Sequence, residues 1–174
     1  MIILNHKGFT FVELMITLVI LGIVIALSTV SFQSLIADQA LSKAASQVYY
    51  TLQLAKIEAI KRNQKIYVQF CKQQSAWRIG MSDTASCDCF TENSCQLDGI
   101  EKVQILADGE KVFTNESDIR FTNLQASYGA LRFSVETGSI ILTSRDNKRL
   151  SVIQSAMRLR ICAPDGESLG FKQC

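Results

Sequence analysis

Hydrophobic and polar positions follow three successive regimes along the chain. From Leu14 to Ala37 there is no charged residue, and most positions are Leu, Ile or Val. A run of that length suits a membrane-crossing helix, which needs about 20 apolar residues. One carboxylate, Glu13, stands at its start. A charge inside such a segment costs roughly 2.5–3.5 kcal/mol on insertion scales, so it needs a role and a partner. In the second regime Leu41, Ala45, Val48, Leu52, Ala55 and Ala59 recur at three- and four-residue spacing. That makes one apolar stripe on a helix. No Pro, and no Gly after Gly22, interrupts the chain before Arg62. One helix from about Phe9 to Asn63 is expected, roughly 80 Å long at 1.5 Å per residue.

After Asn63 the period changes to two. Ile66, Val68 and Phe70 alternate with Tyr67 and Gln69, the pattern of a half-buried strand. Ala76–Met81 can pair with it through a turn at Lys72–Ser75. Ser82–Ser94, rich in Ser, Thr, Asp and Cys, reads as an irregular loop. Further strands are expected at Lys102–Leu106, Ile119–Phe121, Leu131–Val135, Ser139–Thr143, Leu150–Gln154 and Met157–Cys162. Asp108-Gly109 and Thr137-Gly138 suit hairpin turns. Strands packing one face against the second half of a long helix give an α+β fold with an antiparallel sheet as its head.

Composition narrows the functional classes. The formal net charge is +2, and +1 once residues 1–8 are set aside, so any nucleic-acid role must rest on local charge. The tail supplies one such cluster: Arg145, Lys148, Arg149, Arg158, Arg160 and Lys172. The sole His, His6, lies near the start, and no nucleotide-binding Gly-rich loop or G-x-S-x-G motif occurs. Enzymatic activity and a cofactor are therefore not expected. Asp83, Asp88 and Glu92 share the polar loop but do not follow EF-hand spacing, so no calcium or other metal site is expected. Six cysteines remain: Cys71, Cys87, Cys89, Cys95, Cys162 and Cys174. They lack the paired C-x-x-C motifs of zinc or redox sites. An even count in an exported chain favours disulfides formed in an oxidising compartment such as the periplasm. Order along the chain suggests Cys162 with Cys174, and the other four stapling the Cys71–Cys95 region.

The chain begins with a short basic leader ending in Lys7-Gly8, followed by Phe9-Thr10-Phe11-Val12-Glu13. A secretory signal peptide would have a shorter apolar core and a small-x-small cleavage site. This arrangement instead resembles the class III leader of type IV pilins and of type II secretion pseudopilins. The resemblance implies that the prepilin peptidase cuts between Gly8 and Phe9, and that Phe9 is then N-methylated. It also implies that Glu13 faces the N-terminal amine of a neighbouring subunit during assembly. The expected organisation is a leader at 1–8, a transmembrane and assembly helix at 9–37, and a periplasmic head at 38–174.

The body resembles the GspH/FimT family of minor pilins and pseudopilins. Ala55-Lys56-Ile57-Glu58-Ala59-Ile60-Lys61-Arg62-Asn63 is similar to the family's helix end, A-R-x-E-A-x-x-R-N. Phe133…Gly138 and then Leu150…Arg158-Leu159-Arg160 resemble its closing strands, whose end motif is G-R-x-R, with Met157 here in place of the Gly. In transformation-associated members that arginine pair belongs to a DNA-contacting surface. Arg158 and Arg160 are two apart, so on a strand they share a face, with Lys148, Arg149 and Lys172 extending the patch. No aromatic interleaves them, so base stacking is not expected. The resemblance implies a minor pilin that primes or caps a type IV pilus, with DNA binding as a further expectation. A minor pseudopilin of type II secretion is the alternative. Partners would be other pilin subunits, the prepilin peptidase, the inner membrane and, on the DNA reading, DNA.

Overall fold

Thr10 opens the long helix α1 (Phe11–Arg62), accepting the Glu13 N–H on its Oγ1 at 3.3 Å and the Leu14 N–H on its carbonyl at 3.1 Å. These bonds satisfy donors that a helix start leaves unpaired. The other end closes at Asn63, whose φ of 51° is left-handed. Asn63 N–H reaches Ile60 O at 3.3 Å and Gln64 N–H reaches Ala59 O at 3.2 Å, the paired bonds of a Schellman stop. The computed structural model describes residues 9–107, 110–131 and 134–174, with 27–31 described by backbone alone. The chain divides into two units, one ending at Ile36 and one spanning Ala37–Cys174.

In the first unit the helix exposes apolar side chains on every side from Phe11 to Ala26, broken only by Glu13 and Thr17. Among the described residues no helix is long and apolar enough to cross a membrane. The side chains of residues 27–31, which fall inside the apolar run, lie outside the described set.

The second unit holds the head. β1 (Ile66–Gln73) and β2 (Ala76–Ser82) form a hairpin through Gln74-Ser75, with Gln74 at a φ of 55°. β3 (Gln96–Leu97) and β4 (Ile100–Glu101) form a small hairpin around Asp98-Gly99, whose φ values of 56° and 71° suit a type I′ turn. They are followed by β5 (Val103–Ala107), β6 (Val112–Phe113), β7 (Gln125–Tyr128), β8 (Gly138–Ser144), β9 (Arg149–Gln154) and β10 (Leu159–Cys162). One four-stranded sheet has the order β5-β2-β1-β7, the other β10-β9-β8-β6, and every strand pair is antiparallel.

Leu41, Ala45, Val48, Leu52, Ala55 and Ala59 of α1 are wholly buried. They share one core with Ile66, Val68, Phe70 and Ile79 of the first sheet and Ile140, Leu142, Leu150 and Val152 of the second. Each large aliphatic side chain removed from water contributes about 1.5–3 kcal/mol. The small Ala residues of the stripe let strands come close to the helix. Inside this core Tyr128 Oη lies 3.2 Å from Gln154 Oε1, joining β7 of one sheet to β9 of the other.

Several strand expectations need correction. Ile119–Phe121 is not a strand: Ile119 makes one bridge to Ile140, and Phe121 stacks on Phe70 with ring centroids 5.5 Å apart. Short 3-10 turns at Glu116–Asp118 and Thr122–Leu124 flank it, and left-handed Asn123 and Leu124 turn the chain away. At 131–135 the described residues form a connection in which only Val135 bridges, to Tyr128. Thr137-Gly138 is not a hairpin turn, because Gly138 opens β8 opposite Gln154. The expected turn at Asp108-Gly109 lies outside the described residues. Among the described residues the antiparallel head is divided into two four-stranded sheets and a hairpin, and β3, β4, β6 and β7 were not expected from periodicity.

Candidate functional site

Two groups of residues carry the functional expectations. At the N-terminal end, Gly8 lies outside the described residues, while Phe9 and Glu13 are exposed. Glu13 sits in the first turn of α1, where the helix dipole favours a carboxylate. Thr10 and Glu13 form the T-x-x-E spacing of a capping box, and the Thr10 half of it is made. That signal was legible in the sequence and marks Thr10 as the residue that sets where the helix begins. Thr17 Oγ1 donates to Leu14 O at 2.8 Å, so its hydroxyl is satisfied within the apolar stretch.

The basic residues of the tail do not form one patch. Lys148 Nζ donates to both oxygens of Asp38, at 2.8 and 2.6 Å. Arg149 makes a two-bond fork to Asp165, with Nε to Oδ2 at 2.6 Å and Nη2 to Oδ1. That fork lowers the Asp165 carboxyl below its ordinary range and raises the Arg149 guanidinium. Arg160, on edge strand β10, donates from Nη2 to Cys174 O at 3.2 Å. Arg158 lies outside the strand, in the turn where Ser155 N–H donates to Arg158 O at 2.9 Å. Arg158 and Arg160 therefore do not share a strand, because β10 begins at Leu159. Arg149 and Arg158 sit at opposite ends of the β9–β10 hairpin, because Arg149 opens β9 while Gln154, at its far end, pairs with Leu159. Lys172 is exposed on the returning tail, beside Ala163, whose N–H donates to Lys172 O at 2.9 Å.

The six cysteines form three disulfides: Cys71–Cys89, Cys87–Cys95 and Cys162–Cys174. Cys71–Cys89 pins the polar loop onto β1 of the first sheet and Cys87–Cys95 closes the loop on itself, while Arg78 Nη1 donates to Cys89 O at 3.3 Å and its guanidinium lies 4.5 Å from the Phe90 ring centroid. The third closes the tail over β10. Asp88 is committed within the loop: it accepts from Phe90 N at 3.0 Å and Thr91 Oγ1 at 2.7 Å, which lowers its carboxyl. Among the described residues no group of three or more His, Cys, Asp or Glu is placed to hold a metal ion.

The helix end explains the resemblance there. Arg62 Nε donates to Glu58 Oε2 at 2.6 Å, and its Nη1 bonds Asp98 at the tip of the β3–β4 hairpin. Ala55 and Ala59 face the core, and Asn63 supplies the left-handed stop. Only Asp98 was invisible in sequence, being far along the chain from its partner.

Residues 44–167 match the family of the type II transport protein GspH, and residues 3–29 match the prokaryotic N-terminal methylation motif. Two fimbrial proteins of Pseudomonas aeruginosa are 32% and 31% identical over 142 residues, 82% of this chain and 80% of theirs. The type IV minor pilin FimU of Pseudomonas aeruginosa aligns in structure with a TM-score of 0.50 at 14% identity, covering 76% of this chain and 91% of FimU. The minor pseudopilin EpsH of the Vibrio cholerae type 2 secretion system aligns with a TM-score of 0.47 at 17% identity, covering 71% and 97%. The FimU likeness concerns the fold; kinship rests on the sequence matches. The chain belongs to the GspH family, carries the prokaryotic N-terminal methylation motif, and is a structural subunit of the pilin or pseudopilin kind.

Proposed function

We propose that this protein is a minor pilin of a type IV pilus that primes or caps the filament. On this reading residues 1–8 are a leader removed between Gly8 and Phe9, and Phe9 is N-methylated. Residues 9–37 anchor the chain in the inner membrane in one pass, and 38–174 form a periplasmic head. The observation that carries the proposal is Glu13 in the first turn of a helix whose side chains from Phe11 to Ala26 are otherwise almost all apolar and exposed. An apolar surface of that extent needs lipid or other helices around it. In such surroundings a carboxylate gains most from an adjacent amine, because the low dielectric strengthens their attraction. The Phe9 amine of a neighbouring subunit is that partner. Three disulfides support maturation in an oxidising compartment. Kinship with fimbrial proteins favours the pilus over the secretion pseudopilus.

The test separates processing from assembly. Gly8→Ala leaves the leader attached on immunoblots, whereas normal maturation of that variant would refute the cut site. Glu13→Ala is processed but poorly incorporated into filaments; undiminished incorporation would refute the assembly role. Deleting the gene should abolish or thin pili while leaving secreted enzymes in the medium, and the opposite pattern would support the secretion pseudopilus.

A second reading, DNA binding, is favoured by the exposure of Arg158 and Lys172. It now rests on Arg158, Arg160 and Lys172, since Lys148 and Arg149 are held by carboxylates. Contacts from these three to phosphates would give sequence-independent, salt-sensitive binding.

A further inference from the structure

The cysteines of the polar loop pair across each other. Along the chain they come as Cys71, Cys87, Cys89 and Cys95, yet the bridges are Cys71–Cys89 and Cys87–Cys95. Each bridge therefore has one end inside the span of the other, whereas Cys162–Cys174 joins neighbours in order. Four cysteines allow three pairings. Loop closure does not choose between the crossed pairing and the in-order one, Cys71–Cys87 with Cys89–Cys95. The crossed bridges have separations of 18 and 8 residues, and each in-order bridge is only two residues shorter. Closure entropy changes little over such a difference. Order of arrival does choose, and it favours the in-order pairing, because the chain is made from its N-terminus and each cysteine meets its neighbour first.

The folded sheet is what holds the crossed pairing. Ile66, Val68 and Phe70 of β1 enter the core, so Cys71 points to the other face. There it stands opposite Arg78 of β2. Cys89 lies above that strand pair: its N–H donates to Cys71 Sγ at 3.1 Å, and its Sγ is 3.7 Å from Gln69 O and 3.9 Å from Arg78 O. Cys95 occupies the space beside Gly80, where a Cβ would come within 2.5 Å of Cys95 Sγ and 3.1 Å of Cys89 Sγ. Sulfurs of both bridges thus share one small cluster, in which Cys87, Cys89 and Cys95 are 7%, 2% and 0% exposed and Cys71 is half-buried. An in-order bridge would close inside the same cluster, since Cys87 O is already 3.8 Å from Cys71 Sγ. Exchange requires a thiolate to reach a sulfur, so a misbridged loop that collapses here is shielded from correction.

We infer that this loop is the substrate of a dithiol disulfide isomerase, which converts the in-order pairing to the crossed one. That partner shares the oxidising compartment of an exported head, the proposal on which this inference rests. The isomerase thiolate attacks Cys71 Sγ of a Cys71–Cys87 bridge; a mixed disulfide forms and Cys87 leaves as a thiolate. Cys87 attacks Cys95 of the Cys89–Cys95 bridge, forming Cys87–Cys95 and releasing the Cys89 thiolate. Cys89 then attacks Cys71 in the mixed disulfide, forming Cys71–Cys89 and returning the isomerase thiolate. Two bridges stand before and after, and no electrons are gained or lost. Cys71 is the point of entry because it is the one cysteine of the four that the cluster leaves partly exposed.

The experiment follows the full chain in bacterial cells with the exported dithiol isomerase present or deleted. Thiols are alkylated at harvest, and bridges are mapped by mass spectrometry without reduction. On deletion the share of chains carrying both crossed bridges should fall about threefold or more, toward or below the one in three that chance pairing gives, while Cys162–Cys174 stays complete. Cys87→Ser combined with Cys95→Ser leaves Cys71 and Cys89 a single choice, so this variant should form their bridge equally well in both strains; the mapping reads that bridge whether or not the loop folds. An isomerase whose second active-site cysteine is replaced by alanine should be recovered disulfide-bonded to Cys71. Complete crossed bridges without the isomerase, a fall that the single-choice variant shares, or no such mixed disulfide would overturn the inference while leaving export intact. Free thiols at Cys162 and Cys174 in the parent strain would instead sink the export reading, and the inference with it.

Discussion

Arg62 donates from Nε to Glu58 at 2.6 Å along the last turn of α1 and from Nη1 to Asp98, so one guanidinium ties the helix end to the β3–β4 hairpin. Its hydrogen bonds are the main reason both carboxyls lie below their ordinary range. Asp165 is lowered in the same way by Arg149. A carboxyl depressed in the folded state contributes stability that is fully present above its unfolded pKa and is lost as pH falls through the folded value.

The head should therefore lose melting temperature on acidification below about pH 4, where unfolded carboxyls take up protons. Arg62→Gln should melt lower at neutral pH and show a flatter acid limb than the parent, because Glu58 and Asp98 lose the partner that depresses them. Thermal melts across a pH series check this, and an acid limb of unchanged steepness in the variant would remove Arg62 from the account.

Gly80 leaves room for the disulfide pair beneath the polar loop: a Cβ there would lie 2.5 Å from Cys95 Sγ and 3.1 Å from Cys89 Sγ. Gly80→Ala should destabilise the head by about 1–3 kcal/mol, the usual cost of overpacking. It should also raise the fraction of molecules with free thiols after refolding in air. Denaturant titration and thiol labelling measure both, and full oxidation at parental stability would show that the loop yields freely.

Tyr128 is buried, and that burial pushes its hydroxyl well above the usual tyrosine range. A phenol raised in the folded state contributes stability that is present below the unfolded pKa, about 10, and lost as pH rises toward the folded value. On alkaline titration followed by absorbance, one of the four tyrosines should ionise only as the protein unfolds. Tyr128→Phe strands Gln154 Oε1 in the core and should cost about 1–3 kcal/mol. A variant as stable as the parent would mean that Gln154 finds another donor.

The cationic residues of the tail should separate into two behaviours. Lys148→Gln and Arg149→Gln should lower stability without altering any DNA binding, since each cation already faces a carboxylate. Arg158→Gln with Arg160→Gln should leave the fold intact and make the log–log salt dependence of duplex binding shallower, by about 0.9 for each phosphate no longer neutralised. Mobility shifts of the head, residues 38–174, over a salt series decide this. No shift by the parent at low salt would dismiss the DNA reading.

What the sequence by itself determined is what depends on neighbours along the chain. The buried stripe from Leu41 to Ala59 follows from helical period, and β1 from alternation, because each signal is carried within one element. The leader pattern, Glu13 and the capping spacing of Thr10 are local for the same reason. Only the tertiary structure decided which distant groups meet. It took Lys148 and Arg149 out of the tail's basic cluster by bringing them to Asp38 and Asp165, and it set Asp98 against Arg62. It also paired short β7 with β1, although Gln125–Tyr128 carries too few alternations to announce a strand. Charge partners and edge strands are chosen by packing across the core, where separation along the chain carries no information about separation in space.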